Sequence, residues 1–160
     1  MDDDVWTLRG LIPGDAAAVA ALIRNAFATQ SVLTDPLPSA LRVTEADVAA
    51  HLGRGGGAVV DVAGRPAASA LWVERDGGLY LARLAVAPAW RGRGLAKALV
   101  AAAEAAAREM GLPRIHLSTR LVLTDNRRLF AACGFVETTR EAHPGYPEPT
   151  FVNMEKRLGP

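Results

Sequence analysis

The sequence predicts a single mixed α/β domain over residues 1–160, and three observations carry that expectation. Apolar runs with strand character alternate with segments of helical period along the whole chain. At the centre, a strand, a helix and a second strand follow one another over residues 79–119. A crossover of that length returns the chain in the same direction, so these two strands should be parallel. Short turns on either side of this unit mark antiparallel hairpins, which makes the sheet mixed.

Residues 5–11 read as the first strand, with Trp6 and Leu8 alternating with Thr7 and Arg9. Pro13-Gly14-Asp15 turns the chain, and Asp15 is placed to cap a helix over residues 16–27, whose apolar face is Val19, Leu22, Ile23 and Phe27. Residues 29–43 contain Pro36 and Pro38 and no clear period, so they read as a loop. Thr44 with Asp47 three residues on has the form of a capping box, which starts a helix to Leu52; the glycines from Gly53 onward end it.

Residues 58–62 and 67–74 read as strands around the turn Ala63-Gly64-Arg65-Pro66. Asp76-Gly77-Gly78 turns into the central strand, residues 79–86, which Pro88 stops. The next helix is the firmest in the chain. Leu95, Leu99, Ala102, Ala103, Ala106 and Met110 recur at spacings of three and four, in an alanine-rich background. Glu104 and Arg108 are set for an i,i+4 pair, and Gly111 and Pro113 close the helix. Residues 114–119 form the parallel strand. Thr124 or Asp125 caps a short helix that ends near Cys133, with Gly134 after it. Residues 135–139 and 151–156 read as a last hairpin around the proline-rich loop 141–149.

Composition excludes several classes. Half of the residues are hydrophobic, so the chain is globular, and no apolar run is long enough to span a bilayer. A net charge of +1 lacks the basic field of a nucleic-acid binder. The acidic start, Met1-Asp2-Asp3-Asp4, does not resemble a secretory leader, and the one cysteine, Cys133, fits a reducing compartment. A cytoplasmic, bacterial protein, monomeric or homodimeric, is expected. His51, His116, His143 and Cys133 show no metal-ligand spacing, so no metal is expected.

The most informative stretch is Arg91-Gly92-Arg93-Gly94-Leu95-Ala96, between the central strand and its helix. Gly92 and Gly94 allow the backbone to turn and to approach a ligand. A helix N-terminus offers unpaired N–H groups and positive dipole charge. Arg91 and Arg93 add further positive charge, a conflict that a bound anion such as a pyrophosphate would relieve. The pattern is neither a Walker loop nor a dinucleotide fingerprint, since Lys97 stands where the latter needs a third glycine.

This loop resembles the pyrophosphate loop Q/R-x-x-G-x-G/A of the GCN5-related N-acetyltransferases, and Leu84-Ala85-Val86-Ala87-Pro88 resembles the strand before it. Asn126 followed by Leu129-Phe130-Ala131-Ala132-Cys133-Gly134-Phe135 is similar to the family's second signature. The resemblance covers residues 79–135. It implies parallel strands that splay apart to form a cleft for acetyl-CoA and an acceptor. It further implies that the backbone of Leu84, Ala85 and Val86 pairs with the pantetheine arm, as an added strand would. The N–H groups from Arg91 through Gly92, Arg93, Gly94 and Leu95 to Ala96 would hold the pyrophosphate. Asn126 and Phe130 would flank the arm.

Acyl transfer to an amine needs a neutral amine, a stabilised oxyanion and a protonated leaving thiolate. The family often places a tyrosine as proton donor where this chain has Phe130, which cannot donate. Tyr146 in the last loop, or water, is the substitute. The family's strand carboxylate is missing too, since the central strand carries Tyr80 and Arg83, and Glu74 on the neighbouring strand is the candidate base. Arg83 interrupts an apolar strand, so it either pairs with a carboxylate or binds an acidic group on the acceptor, and Arg120 poses the same alternative. His143 and Trp72 are further candidates for the acceptor side.

The reading that follows is an N-acetyltransferase that moves an acetyl group from acetyl-CoA to the primary amine of a small or amino-acid-like molecule by direct attack. Its partners are a small-molecule amine, with no nucleic acid and no membrane. Modification of a protein N-terminus or lysine is the alternative enzyme, and a non-catalytic acyl-CoA sensor is the alternative of another class.

Overall fold

Two-residue turns build the first half of the sheet. Ala63-Gly64 and Asp76-Gly77 have positive φ at both positions, 51° and 77° in the first and 52° and 75° in the second. This is the type I′ geometry whose twist matches that of the strands it joins. The first turn is tighter than the sequence implied, because Arg65 already opens the next strand. The computed structural model describes residues 5–30 and 32–159; the acidic start at residues 1–4 lies outside the described residues.

The strands are β1 (Trp6–Gly10), β2 (Gly56–Val62), β3 (Arg65–Arg75), β4 (Gly78–Val86), β5 (Arg114–Arg120), β6 (Val136–Glu141) and β7 (Phe151–Arg157). They form one sheet in the order β1-β2-β3-β4-β5-β7-β6. Only β4 and β5 pair in parallel, as the crossover required, and the other pairs are antiparallel. The helices are α1 (Ala16–Ala28), α2 (Glu45–Leu52), α3 (Leu95–Glu109) and α4 (Thr124–Ala132). The loop 29–43 also contains a 3-10 turn, Ser39–Arg42, that the sequence did not signal.

The sheet is covered on both faces. Val19, Ile23 and Val48 from α1 and α2 pack with Leu71 and Ala85 on one side. Leu95, Leu99, Ala103 and Phe130 from α3 and α4 pack with Leu79, Leu81 and Ile115 on the other. The outermost strand β6 is exposed along its whole length, and its register with β7 shifts between Glu137 and Arg140.

The capping box at α2 is present: Thr44 N donates to Asp47 Oδ2 at 2.9 Å and Asp47 N to Thr44 Oγ1 at 3.1 Å. Gly111 ends α3 in a Schellman arrangement, with Leu112 N donating to Ala107 O at 2.9 Å and Gly111 N to Arg108 O at 3.1 Å. Gly134 ends α4 in the same way, through Phe135 N to Phe130 O at 3.0 Å.

Four local expectations are corrected. Asp15 does not cap α1 with its side chain. Its carboxylate instead accepts from Arg9 Nη1 and Nη2, at 2.9 and 2.8 Å, and from Ile12 N at 2.9 Å. Arg9 Nε donates to Asp61 Oδ2 at 2.8 Å, so one guanidinium joins β1, β2 and the start of α1. Neither Thr124 nor Asp125 caps α4; Leu123 occupies that position without a side-chain bond. Glu104 pairs with Lys156 of β7 rather than with Arg108, whose Nη1 donates to Gly159 O at 3.1 Å. Met110 is 49% exposed, and Val100 and Ala107 take buried places on the face of α3. At Glu104 and Arg108 a tertiary neighbour prevails over a local pattern.

The Arg9 guanidinium holds the Asp15 carboxyl below the usual carboxylate range, against the cost of burial. A depressed folded-state pKa contributes stability above the unfolded value of about 3.9, and that contribution is lost as pH falls through the folded value. Asp15→Asn is therefore expected to lower the urea-unfolding free energy at pH 7 by about 2 kcal/mol. The gap to wild type should close on acidification below about pH 4; a gap that persists at lower pH would refute the charge-based account.

Candidate functional site

The site begins where β4 and β5 stop pairing. Their parallel ladder is confined to Leu79 with Ile115 and Tyr80 with His116. Beyond it the two strands separate, and among the described residues the edge of β4 that faces β5 has no strand partner from Leu81 onward. On its other edge β4 stays paired with β3, but with an irregularity. Ser69 lies opposite Ala85 and Leu71 opposite Ala82, so Arg83 and Leu84 together face Ala70. This is a β-bulge, and Arg83 takes φ +53° within it.

The bulge changes which side chains face which layer. One extra residue shifts the alternation, so Leu79, Leu81, Leu84 and Val86 all pack toward α3. Ala85 packs toward α1. Tyr80, Ala82 and Arg83 line a groove of ≈ 790 Å³ on the α2 side, together with Ser39, Arg42, Asp47 and Glu74. Leu84, Ala85 and Val86, expected to pair with a pantetheine arm, lie on the open stretch of β4.

At the mouth of the cleft, Gly92 and Gly94 have φ of +76° and +84°. A Cβ added at either would meet nothing within 4 Å, so their glycine character serves backbone conformation rather than space within the fold. Gly94 is the N-cap of α3, and the first helical bond runs from Ala98 N to Gly94 O at 3.1 Å. The N–H groups of Leu95, Ala96 and Lys97 have no acceptor within the helix. These amides and the positive end of the helix form a cradle for an anion.

Arg91 is not disposed as the sequence implied. Arg91 donates from Nη1 to Thr29 O at 2.9 Å, and from Nη2 to Ala26 O and Thr29 Oγ1, each at 3.0 Å. Its charge sits at the negative end of α1, so the protein itself relieves that part of the expected conflict. Arg93 lies over the Trp90 ring, 4.8 Å from its centroid.

Side chains from distant elements hold the loop 29–43, and Arg24 Nη1 of α1 secures its end by donating to Val43 O at 2.6 Å. Arg83 Nη2 donates to Ser39 Oγ at 2.9 Å, Arg120 Nη1 donates to Pro36 O, and Tyr146 Oη donates to Asp35 Oδ1 at 2.6 Å. Arg83 and Arg120 are half-buried, and no carboxylate lies within ion-pair distance of either among the described residues. Burial pushes the pKa of both guanidiniums down. The hydrogen bond to Asp35 pushes the Tyr146 phenol up, so Tyr146 carries its proton at neutral pH. His143 N donates to Thr150 Oγ1 at 3.0 Å, and its ring meets Phe151 and Tyr146 edge-on, at 5.0 and 6.3 Å. Burial and the nearby Arg120 push the His143 pKa down. Asp35 and Ser39 were not singled out in the sequence; their only signal was a polar residue beside each proline of an aperiodic loop.

The remaining candidates lie apart. Phe130 is 5% exposed and packs against Phe135, with ring centroids 5.8 Å apart. Asn126, in the first turn of α4, is half-buried, and its side chain makes no hydrogen bond among the described residues. Glu74 is exposed, pairs with Leu79 in the ladder and makes no hydrogen bond or ion pair among the described residues. Four residues of strand separate Leu79 from Arg83, about 13 Å. Trp72 packs with the α3-side core and borders a second cavity of ≈ 330 Å³, away from Arg83.

The family model for the acetyltransferase (GNAT) family matches residues 23–135. The chain belongs to this family. It is an acyltransferase of the N-acetyltransferase type, and acetyl-CoA is its acyl donor. Solved structures share the fold. The ribosomal-protein-S18-alanine N-acetyltransferase of Escherichia coli is 21% identical, with a TM-score of 0.76 over 96% of this chain and 94% of that one. A GNAT-family acetyltransferase of Streptococcus pneumoniae is 18% identical, with a TM-score of 0.78 over 97% and 100%. YncA of Salmonella typhimurium, solved with its cofactor acetyl-CoA, is 18% identical, with a TM-score of 0.75 over 98% and 95%. Identities this low speak for the fold alone. No curated protein matches the sequence. Among the described residues, no group of three or more His, Cys, Asp or Glu could hold a metal ion, and no helix is long and apolar enough to cross a membrane.

Gly94→Ala forces a Cβ into the left-handed region. The expected result is a loss of about 1 kcal/mol in thermal or urea unfolding. A substitution without effect would show that the turn relaxes freely.

Proposed function

We propose that the protein acetylates the primary amine of a small, amino-acid-like molecule that carries an acidic group, by direct attack on acetyl-CoA. One observation supports the acidic group above all: Arg83 and Arg120 are half-buried guanidiniums whose protein partners are a hydroxyl and a carbonyl rather than a carboxylate. A desolvated guanidinium with no carboxylate in direct contact favours an anion from outside, even with Asp47 and Asp35 in the neighbourhood. A bacterial cytoplasmic enzyme, monomeric or homodimeric, goes with this reading.

The residues fit the donor. The amides between Arg91 and Ala96 would take the pyrophosphate, the open backbone of Leu84, Ala85 and Val86 would take the arm, and Asn126 has a free amide for it. When bound, acetyl-CoA supplies an activated thioester. The chain's part is to hold the amine close, receive its proton and stabilise negative charge. Among the carboxylates that line the groove, Asp47 is engaged with Thr44, whereas Glu74 is uncommitted and would receive the proton through water. Tyr146 would return a proton to the leaving thiolate, since Phe130 cannot. His143 borders the acceptor from the same loop, and Trp72, which borders the second cavity together with Glu74, is a further candidate for the acceptor side.

A second reading, acetylation of a peptide N-terminus, draws on the open groove and on the E. coli relative named for such a reaction. The test compares wild type with Gly94→Glu and Arg83→Met. Acetyl-CoA at a hundred times its Kd should stabilise wild type by about 2.7 kcal/mol and leave Gly94→Glu unchanged. Thiol release should be faster with amines that carry a carboxylate than with their amides, and Arg83→Met should erase at least a tenfold preference. Equal rates for acids and amides would overturn the acidic acceptor, and release with peptides alone would favour the second reading. Glu74→Gln should lower kcat/KM by roughly a hundredfold; an unchanged value would remove it as the base.

A further inference from the structure

We propose that Arg91 is a positioning residue that couples the cofactor loop to the acceptor loop, so that filling the anion cradle stiffens residues 29–43. The proposal rests on the reading that the cradle at Gly92 to Ala96 takes the pyrophosphate. Arg91 opens that loop in sequence, yet its guanidinium points away from the cradle. It donates one hydrogen bond to the last turn of α1, at Ala26 O, and two to the residue that follows the helix, at Thr29 O and Thr29 Oγ1, across 62 to 65 residues of sequence. The carbonyls at a helix C-terminus lack helical donors, and a planar guanidinium can serve several at once.

Thr29 is the first residue of the acceptor loop. The other side-chain anchors of that loop, among the described residues, are Tyr146 on Asp35, Arg120 on Pro36, Arg83 on Ser39 and Arg24 on Val43. Four of these anchors therefore come from elements that border the cleft, namely the cofactor loop, the last loop, the end of β5 and the bulge of β4, and only Arg24 comes from α1. Arg91 is the anchor nearest in sequence to the cradle. An anion bound by amides one to five residues further on restricts the backbone that carries Arg91. That restriction favours the conformers in which its three bonds to Ala26 and Thr29 are made, and by linkage a stiffened loop favours the filled cradle in return.

Hydrogen exchange of the full chain, with and without coenzyme A, reads both ends of the coupling. In wild type, residues 92–97 and residues 29–43 should both exchange more slowly with coenzyme A, the latter by about fivefold or more. In Arg91→Ala, residues 92–97 should still respond, because the amides remain, while residues 29–43 no longer do. Thr29→Val, which removes one partner from the other side, should weaken the response and add nothing in the Arg91→Ala background. Should Arg91→Ala fail to fold, Arg91→Lys keeps the charge without the planar fork and should reduce the response. An equal response of residues 29–43 in wild type and Arg91→Ala would overturn the coupling, as would a wild-type response confined to residues 92–97. Absence of any response at residues 92–97 would overturn the placement of the cofactor, and the coupling with it.

Discussion

The structure depends on the divergence of β4 and β5. Two parallel strands that stayed hydrogen-bonded would close the sheet and leave no cleft. Here the ladder stops after Tyr80 and His116. What permits this is the different bonding of each strand on its other edge: β5 remains paired with β7 as far as Arg120 and Phe151, and β4 with β3 as far as Val86 and Ala68. Each strand keeps one satisfied edge, and the backbone polar groups on the facing edges remain available to an extended ligand. The bulge at Arg83 adds to this by turning a side chain that would have faced α3 into the groove beside α2.

Arginine does much of the long-range joining. Arg9 holds the first strand to the second and to α1 through two carboxylates. Arg91, Arg83 and Arg120 hold the loop after α1 through hydroxyl and carbonyl oxygens. The difference in partners is informative. Arg9, which faces carboxylates, is electrostatically satisfied; Arg83 and Arg120 are hydrogen-bonded but keep their positive charge unbalanced by contact.

Much of the architecture was legible in the sequence, because it is written in local signals. Gly111 and Gly134 close their helices, Thr44 and Asp47 box the start of α2, and residues 79–119 form the parallel crossover that their lengths demanded. The glycines at 92 and 94 mark a turn into a helix, and that turn is there. What escaped were contacts between distant segments. Nothing around Asp15 signals Arg9 as its partner, and nothing near Glu104 signals Lys156. The bulge was invisible, since an extra residue in an apolar strand leaves no mark on composition. The loop 29–43 lacked periodicity, yet its Asp35 and Ser39 meet Tyr146 and Arg83, two side chains of the proposed acceptor site.

One edge of the sheet bears on how copies of the protein tolerate one another. A sheet that ends in a flat, apolar strand offers its unpaired amides to any other extended chain and invites aggregation. β6 ends this sheet with Glu137, Arg140 and Glu141 exposed, a register shift that bends its ladder, and Glu137 held by Arg127 of α4. A second strand approaching there would have to bury those charges and straighten the kink. The end of the sheet nearest the cleft's last loop is therefore protected against strand-to-strand growth, and colloidal behaviour at high concentration is governed by surfaces other than this one.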